Sequence, residues 1–314
     1  MEQRTEVSDV FTAFLPSFLQ KHTLSAWQHN TITAITTCRT AIQGGHVEAC
    51  DSCGAIRISY NSCRNRHCPK CGGMKKEEWI EARRSELLPI NYYHIVFTVP
   101  HELNAWMRFN EKWFYDLLFD SAWQTIATFG QDGQYLGATP GMIAILHTWG
   151  QQLNYHVHLH CIVAGGGITR EQKWCLPKRT SGKFLFPQSA MSVVYRGIFL
   201  SKLSAAIGSK KRVTLQTPPD TMAIADIIKL LYQKKWVVDA RIPFGGPAQV
   251  VEYLGRYTHK VAISNQRLIK IEDGEVHFNY KDYRDGATTK QMCLKGEEFI
   301  RRWLQHMLPA RFVK

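Results

Sequence analysis

A run of eight residues, His156-Val157-His158-Leu159-His160-Cys161-Ile162-Val163, constrains this chain more than any other stretch of it. Imidazole alternates with an aliphatic side chain, which is the period-two pattern of a β-strand resting one face on a core. A helix would scatter these histidines around its surface, whereas a strand projects all three from one side. One sheet face is therefore expected to carry a row of imidazoles. Two of them spaced two residues apart reach a single divalent ion, and neutral imidazole suits Zn, Mn or Ni. The same side chains would also serve as polar caps on a sheet surface, but three on one face, running into Gly165-Gly166-Gly167, favour the metal reading.

The neighbouring segments supply a sheet to hold that strand. Gly141 to Gly150 reads as a strand and Gln151 to Tyr155 as the turn after it, a hairpin that brings His147 beside His158 and His160. His147 is thus the candidate third ligand; the alternative is a strand-end histidine bonded to backbone. Tyr92 to Val99 is a further β run ending at Pro100. Glu102 to Phe129 is helical and too rich in Trp, Phe and Leu to lie on the surface, so it is expected to pack on the sheet. Helices are also expected over Asp9–His22, from Thr23 or Ser25 to Gly44-Gly45, over Met74–Leu88, Ser192–Ile207 and Asp220–Gln233, and over Glu297–Met307. Three short strands, 268–272, 275–280 and 288–294, form a small antiparallel set near the end.

Six of the nine cysteines fall between residues 38 and 71, a crowding that points to metal and away from disulfides. Cys50-x2-Cys53 and Cys68-x2-Cys71, separated by 14 residues, have the spacing of a zinc ribbon in which four thiolates close the coordination sphere. Such a zinc is structural and supplies folding free energy to a segment too short for its own core. Cys63, His67 and His46 are spare potential ligands. Arg64, Arg66 and Lys70 surround this module, where they would meet phosphates or form a solvated charged face.

Lys plus Arg number 39 against 26 Asp plus Glu, a formal charge of +13, which favours a polyanionic partner, nucleic acid first. An anionic membrane surface would select the same charge, yet no apolar run approaching the eighteen or so residues of a spanning helix is evident, and no signal peptide opens the chain. A cytoplasmic protein is expected. No Gly-x4-Gly-Lys-Ser/Thr loop occurs, so no nucleotide cofactor is expected.

Gly245-Gly246-Pro247 is placed to open a helix with proline at its first position. Tyr253 and Tyr257 on that helix stand one turn apart on one face, a spacing that suits two nucleophiles serving one site and equally a pair of core aromatics. Arg256, His259 and Lys260 make the neighbourhood cationic and add Arg256 and Lys260 to the candidate DNA contacts.

Taken in order, Tyr60-Asn-Ser-Cys-Arg-Asn-Arg-His-Cys-Pro-Lys-Cys71, His94-Ile-Val-Phe-Thr-Val-Pro100, His147-Thr-Trp-Gly-Gln151, the histidine strand and Tyr253-Leu-Gly-Arg-Tyr-Thr-His-Lys-Val-Ala-Ile-Ser264 resemble the two-tyrosine rolling-circle transposases of insertion-sequence family ninety-one. The resemblance covers nearly the whole chain. Val157 stands where that family often has proline, a change that leaves the ligands untouched, and family members tend to continue past residue 314. The resemblance implies an α+β protein with an HUH endonuclease core, an antiparallel sheet with flanking helices, preceded by a helical segment and the zinc module. It divides the chain into 1–45, helical; 46–88, zinc module and linker helix; 89–264, the core with the tyrosine helix; and 265–314, a small β/α segment.

It further implies His158 and His160 as the ligand pair for a catalytic divalent ion such as Mg or Mn, and Tyr253 and Tyr257 as nucleophiles on single-stranded DNA at the ends of the element. Two rival readings stay open. A replication initiator or relaxase would use the same site on a replicon origin. A non-catalytic, zinc-dependent DNA-binding protein would keep only the module and the basic face.

Overall fold

The computed structural model describes residues 4–178, 184–208, 214–241, 249–252, 255, 261–283, 285–309 and 312. The chain divides into two compact units: residues 1–79, 149–155 and 258–310 in the first, and 80–148, 156–257 and 311–314 in the second. The fold is α+β, with antiparallel sheets flanked by helices.

In the first unit, α1 (Val7–Leu19) presents Val7, Val10, Phe11 and Phe18 at helical spacing to a shared core and tolerates Pro16 close to its end. α2 (Ala26–Thr36) starts at Ser25, whose hydroxyl accepts from Gln28 N–H while the Gln28 side chain accepts from Ser25 N–H, a reciprocal cap. It ends earlier than its apolar stripe suggests, because Thr36, Thr37 and Thr40 return their hydroxyls to the preceding carbonyls. A separate 3-10 turn covers Ala41–Gln43 before Gly44 at φ 70°.

The far end of the chain completes this core. Strands β8 (Leu268–Glu272), β9 (Glu275–Asp282) and β10 (Thr288–Lys295) form a meander, and the β8–β9 turn is Asp273-Gly274 with φ 49° and 77°, the two left-handed residues of a tight hairpin. α8 (Gly296–Leu304) buries Phe299, Ile300, Trp303 and Leu304 and sets Trp303 edge-on to Phe11, ring centroids 4.9 Å apart. Residues separated by nearly 300 positions thus share one apolar cluster.

The second unit is built on a five-stranded sheet in the order β4-β5-β3-β7, with β6 (Trp174–Cys175) pairing β5. β3 spans Tyr92–Thr98, β4 Thr139–Trp149, β5 Tyr155–Ile168 and β7 Val238–Arg241. β3 lies antiparallel between β5 and β7, with Val96 opposite His160 on one side and Asp239 on the other. Tyr93, Ile95, Phe97, Val157, Leu159, Cys161, Val163, Val238 and Ala240 bury one face. Against it packs α6 (Gln188–Gly208), with Tyr195 edge-on to Phe97 at 5.0 Å and to Trp236 at 5.2 Å, and α5 (Glu111–Gln131) packs on α6.

The glycine triplet lies inside β5: a Cβ at Gly165, Gly166 or Gly167 would come within 2.6, 2.3 and 2.7 Å of Asn91 O, the Trp174 ring and Thr139 O. Only glycine lets neighbouring backbone and ring approach this closely. One expectation is corrected: an apolar run does reach spanning length, since the helix Gln188–Ile207 in α6 is long and apolar enough, by length and composition, to cross a membrane. Arg196 and Lys202 interrupt the run in sequence, and in the fold Met191, Tyr195, Phe199, Leu200 and Leu203 are buried while Arg196 donates to Lys234 O at 2.9 Å.

Candidate metal centre and zinc module

The sheet face opposite the helices carries the histidine row. Because facing residues share a side of a sheet, the β3–β5–β7 register places Val96, His160 and Asp239 in one rank, His94, Ile162 and Arg241 in the next, and Thr98 with His158. His147 of β4 completes the group. The ligand atoms of His147, His158 and His160 lie within 4.8 Å of one another, with His147 and His160 buried and His158 half-buried. Their rings stand at 80°, 68° and 72° to one another, so three nitrogens converge without the rings stacking.

Each imidazole of the β5 pair is held through Nδ1. His158 Nδ1 is 2.9 Å from the carbonyl of His156, and His160 Nδ1 is 2.9 Å from His94 Nε2, the His94 and His160 rings stacking at 6°. At His158 the carbonyl can only accept, so Nδ1 donates and Nε2 is the ligating nitrogen; His160 ligates through Nε2 in the tautomer in which its Nδ1 donates to His94 Nε2. Burial pushes the His94 imidazole down to about 4, so His94 is neutral at neutral pH. His156, also held down by burial, lies outside the convergent group and contributes its carbonyl. Three converging imidazole nitrogens fit a divalent centre, and Asp239, in ion pair with Arg241 at 3.0 Å, places an acidic group on the same face.

His94 is the residue that sequence reasoning missed. It stands in the quoted β3 segment, but its place beside His160 follows from the β3–β5 register, which one sequence does not fix. Tyr253, Tyr257, Arg256 and Lys260 lie outside the described residues, as do Gly245, Gly246 and Pro247. Nearby, residues 249–252 and Gly255 are helical, and a Cβ on Gly255 would meet Ile80 Cγ1 at 2.3 Å. That part of the helix therefore rests its backbone directly on Ile80.

The cysteine cluster differs from the expected ribbon. The four thiols that gather are Cys38, Cys63, Cys68 and Cys71, all within 4.8 Å of one another. Cys38 follows α2, with its N–H donating to Ile35 O, and Cys63 N–H donates to Cys38 Sγ at 3.4 Å. Cys71 Sγ is 3.4 Å from Cys38 Sγ and 3.6 Å from Cys63 Sγ. These separations are far beyond an S–S bond and close to the ~3.8 Å edge of a tetrahedron with ~2.3 Å zinc–sulfur bonds. Burial pushes the Cys63 thiol up to about 11 and the Cys68 thiol well above its ordinary value, so at these two positions burial disfavours the thiolates that a cation would select. The donor set fits a closed structural zinc.

Cys50 and Cys53 are not part of it. They sit exposed beyond the end of the hairpin β1 (Gly45–Ala49) and β2 (Ile56–Tyr60), which is inserted between Cys38 and Cys63. The physical reason is topological: ligands come from the end of a helix, from the return of the hairpin and from one knuckle, so two Cys-x2-Cys spacings overstate the pairing. Of the spare ligands, Cys63 joins the cluster. His67 packs edge-on with Trp27 and Trp303, each at 6.3 Å, and exposed His46 bonds Glu48 at 3.2 Å. Arg64 and Arg66 are exposed, while Lys70 is paired with Glu6 at 2.5 Å.

Comparison with known proteins places this architecture. Residues 141–314 match a family model described as "Putative transposase", and residues 10–99 match one described as "Transposase zinc-binding domain" of the IS91 type. The chain is 45% identical, over 98% of its length and 78% of the relative's, to the putative transposase y4qJ of Sinorhizobium fredii. It is 28% identical, over 90% of its length and 67% of the relative's, to the transposase for insertion sequence element IS801 of Pseudomonas savastanoi pv. phaseolicola.

The zinc assignment predicts that Cys38→Ser lowers zinc content by one per chain and destabilises the first unit, by several kcal/mol on the scale of structural zinc sites. Cys50→Ser should leave the Cys38 cluster loaded and the unit folded. Metal analysis with thermal denaturation checks both, and loss of a whole zinc from Cys50→Ser with none from Cys38→Ser would restore the ribbon pairing. With its two matching family models, its relatives and its gathered cysteines, the chain belongs to the transposases of insertion-sequence family ninety-one.

Proposed function

We propose that this chain is a rolling-circle transposase that cleaves single-stranded DNA at the ends of its element by tyrosine attack on phosphorus and then rejoins the strands. The observation that carries this reading is the convergence of His147, His158 and His160 on one sheet face. A divalent ion held there would polarise the scissile phosphate and neutralise charge developing on its oxygens. Three imidazoles suit Mn²⁺ better than Mg²⁺, which prefers oxygen ligands. The chain's own residues do the rest. His156 O and His94 orient the two β5 imidazoles, and the Oη of Tyr253 or Tyr257 forms a bond to phosphorus as the bond to the 3′-oxygen breaks. The product is a 5′-phosphotyrosine and a free 3′-hydroxyl, so phosphodiester energy is kept without a nucleotide cofactor. The second tyrosine takes part in the return transfer.

DNA binding follows from the family and is supported by the charge of +13. Exposed Arg64 and Arg66, with Arg256 and Lys260, are the proposed phosphate contacts, and the cytoplasm is the proposed compartment. The linear partition into helical segment, zinc module, endonuclease core with tyrosine helix and C-terminal β/α segment is likewise proposed as a functional division. An origin nickase would use the same chemistry on another sequence, and a non-catalytic binder would form no adduct.

Tyr253→Phe and Tyr257→Phe are each expected to impair strand transfer, with at least one still forming an adduct on a single-stranded oligonucleotide from the element end. The double variant should form none while remaining folded, because Phe removes the oxygen and keeps the ring. His158→Ala or His160→Ala should abolish cleavage and leave single-strand affinity largely intact, and His156→Ala should do less. Mass spectrometry of the trapped peptide decides, and an adduct on any other residue overturns the assignment. His94→Leu should weaken Mn²⁺ affinity roughly 10- to 100-fold, the scale for loss of a partner to a ligating histidine, with His94→Gln recovering part of it. Titration followed by electron paramagnetic resonance reads this directly, and unchanged affinity removes His94 from the site.

A further inference from the structure

The hairpin β1–β2 has a pattern that neither the Cys38 cluster nor the histidine centre uses. Its register pairs Gly45 with Tyr60, Val47 with Ile58 and Ala49 with Ile56, and His46 with Ser59 and Glu48 with Arg57. Facing residues share a side, so Val47, Ala49, Ile56, Ile58 and Tyr60 lie on one face and His46, Glu48, Arg57 and Ser59 on the other. A hairpin sorted in this way is built to bury its apolar face. Yet Val47 is 66%, Ile56 72% and Ile58 57% exposed. An isolated two-stranded ribbon is marginal in water, so such a face needs a cover.

Beyond the strands stands a second, independent feature. Cys50 and Cys53 are both exposed and reduced, on a turn closed by Gly54 N–H donating to Cys50 O at 2.8 Å and Cys50 N–H donating to Ala55 O at 2.9 Å. Gly54 has φ 69°, which this tight turn requires. The turn brings the two thiols, three residues apart, to its exposed side, the Cys-x2-Cys spacing from which a knuckle ligates metal. It offers two ligands where zinc takes four. His46 cannot supply a third, since four residues of strand put it about 13 Å away. Among the described residues no further His, Cys, Asp or Glu joins the pair.

We propose that this hairpin is a dimerisation device: Cys50 and Cys53 of two copies of the chain share one zinc, and the apolar faces of the two hairpins cover each other. A two-fold axis turns two ligands into four and presents the same apolar strip from both sides, which is what an isologous contact requires. A nucleic-acid backbone is the poorer occupant, because the exposed face carries no cation; the only basic side chain of the paired residues other than His46 is Arg57, on the opposite side. Each chain then holds one zinc in the Cys38 cluster and half of a shared one.

The test compares the zinc-loaded full chain with the Cys50→Ser, Cys53→Ser variant, measuring zinc per chain by mass spectrometry and mass in solution by light scattering. Any zinc in the histidine centre is common to both and cancels. The expected result is a difference of half a zinc per chain, with a dimer becoming a monomer. A difference of one zinc per chain would mean that the pair is completed within one copy, and no difference would mean that it holds no zinc; either overturns the proposal, as does a dimer that survives in the variant. Cadmium substitution gives a readout that needs no variant: two tetrathiolate ¹¹³Cd resonances in a 2:1 intensity ratio, internal to shared. A single such resonance, or a 1:1 ratio, contradicts it.

Discussion

The register between β3 and β5 is the constraint on which the candidate centre depends. Setting Val96 opposite His160 sends Val157, Leu159, Cys161 and Val163 into the core and His156, His158 and His160 to the other face. A slip of one residue would exchange those sets, burying three imidazoles against Phe97 and Tyr195 and exposing the apolar side chains. Burying unpartnered imidazoles while losing the core contacts of four apolar residues would cost several kcal/mol. The register that packs the helices is thus the one that assembles His147, His158, His160 and His94. Stability and candidate chemistry are set by one choice.

The first unit solves a different problem. Its core is assembled from both ends of the chain, with α1 against α8 and the terminal meander, and the hairpin inserted between Cys38 and Cys63 adds almost no buried surface. Four sulfurs tie the end of α2, the return of that hairpin and the knuckle that follows it. A zinc at these thiols would fix three segments with few apolar contacts of their own, which is the role of a structural metal.

Period-two alternation identified β5 and the face of its histidines, and Ser25, one of the two caps read for the second helix, does cap it, while its reciprocal partner Gln28 went unread. The Asp273-Gly274 turn announced the terminal hairpin. What escaped were facts of tertiary pairing. Cys38 was passed over because it belongs to no Cys-x2-Cys pair and reaches the cluster only through the fold. β7, four residues long, shows too few alternations to be read, yet it brings Asp239 to the histidine face. The need for glycine at 165–167 was not legible either, because the groups crowding it come from residues 91, 139 and 174.

That one face of this sheet is a divalent centre is the central claim, and anomalous diffraction from crystals grown with Mn²⁺ tests it most directly. The account predicts a peak within about 2.3 Å of nitrogens from His147, His158 and His160, with the His94 ring against His160 and no protein ligand from His156. A peak on other side chains, or none on this face at saturating Mn²⁺, would contradict it.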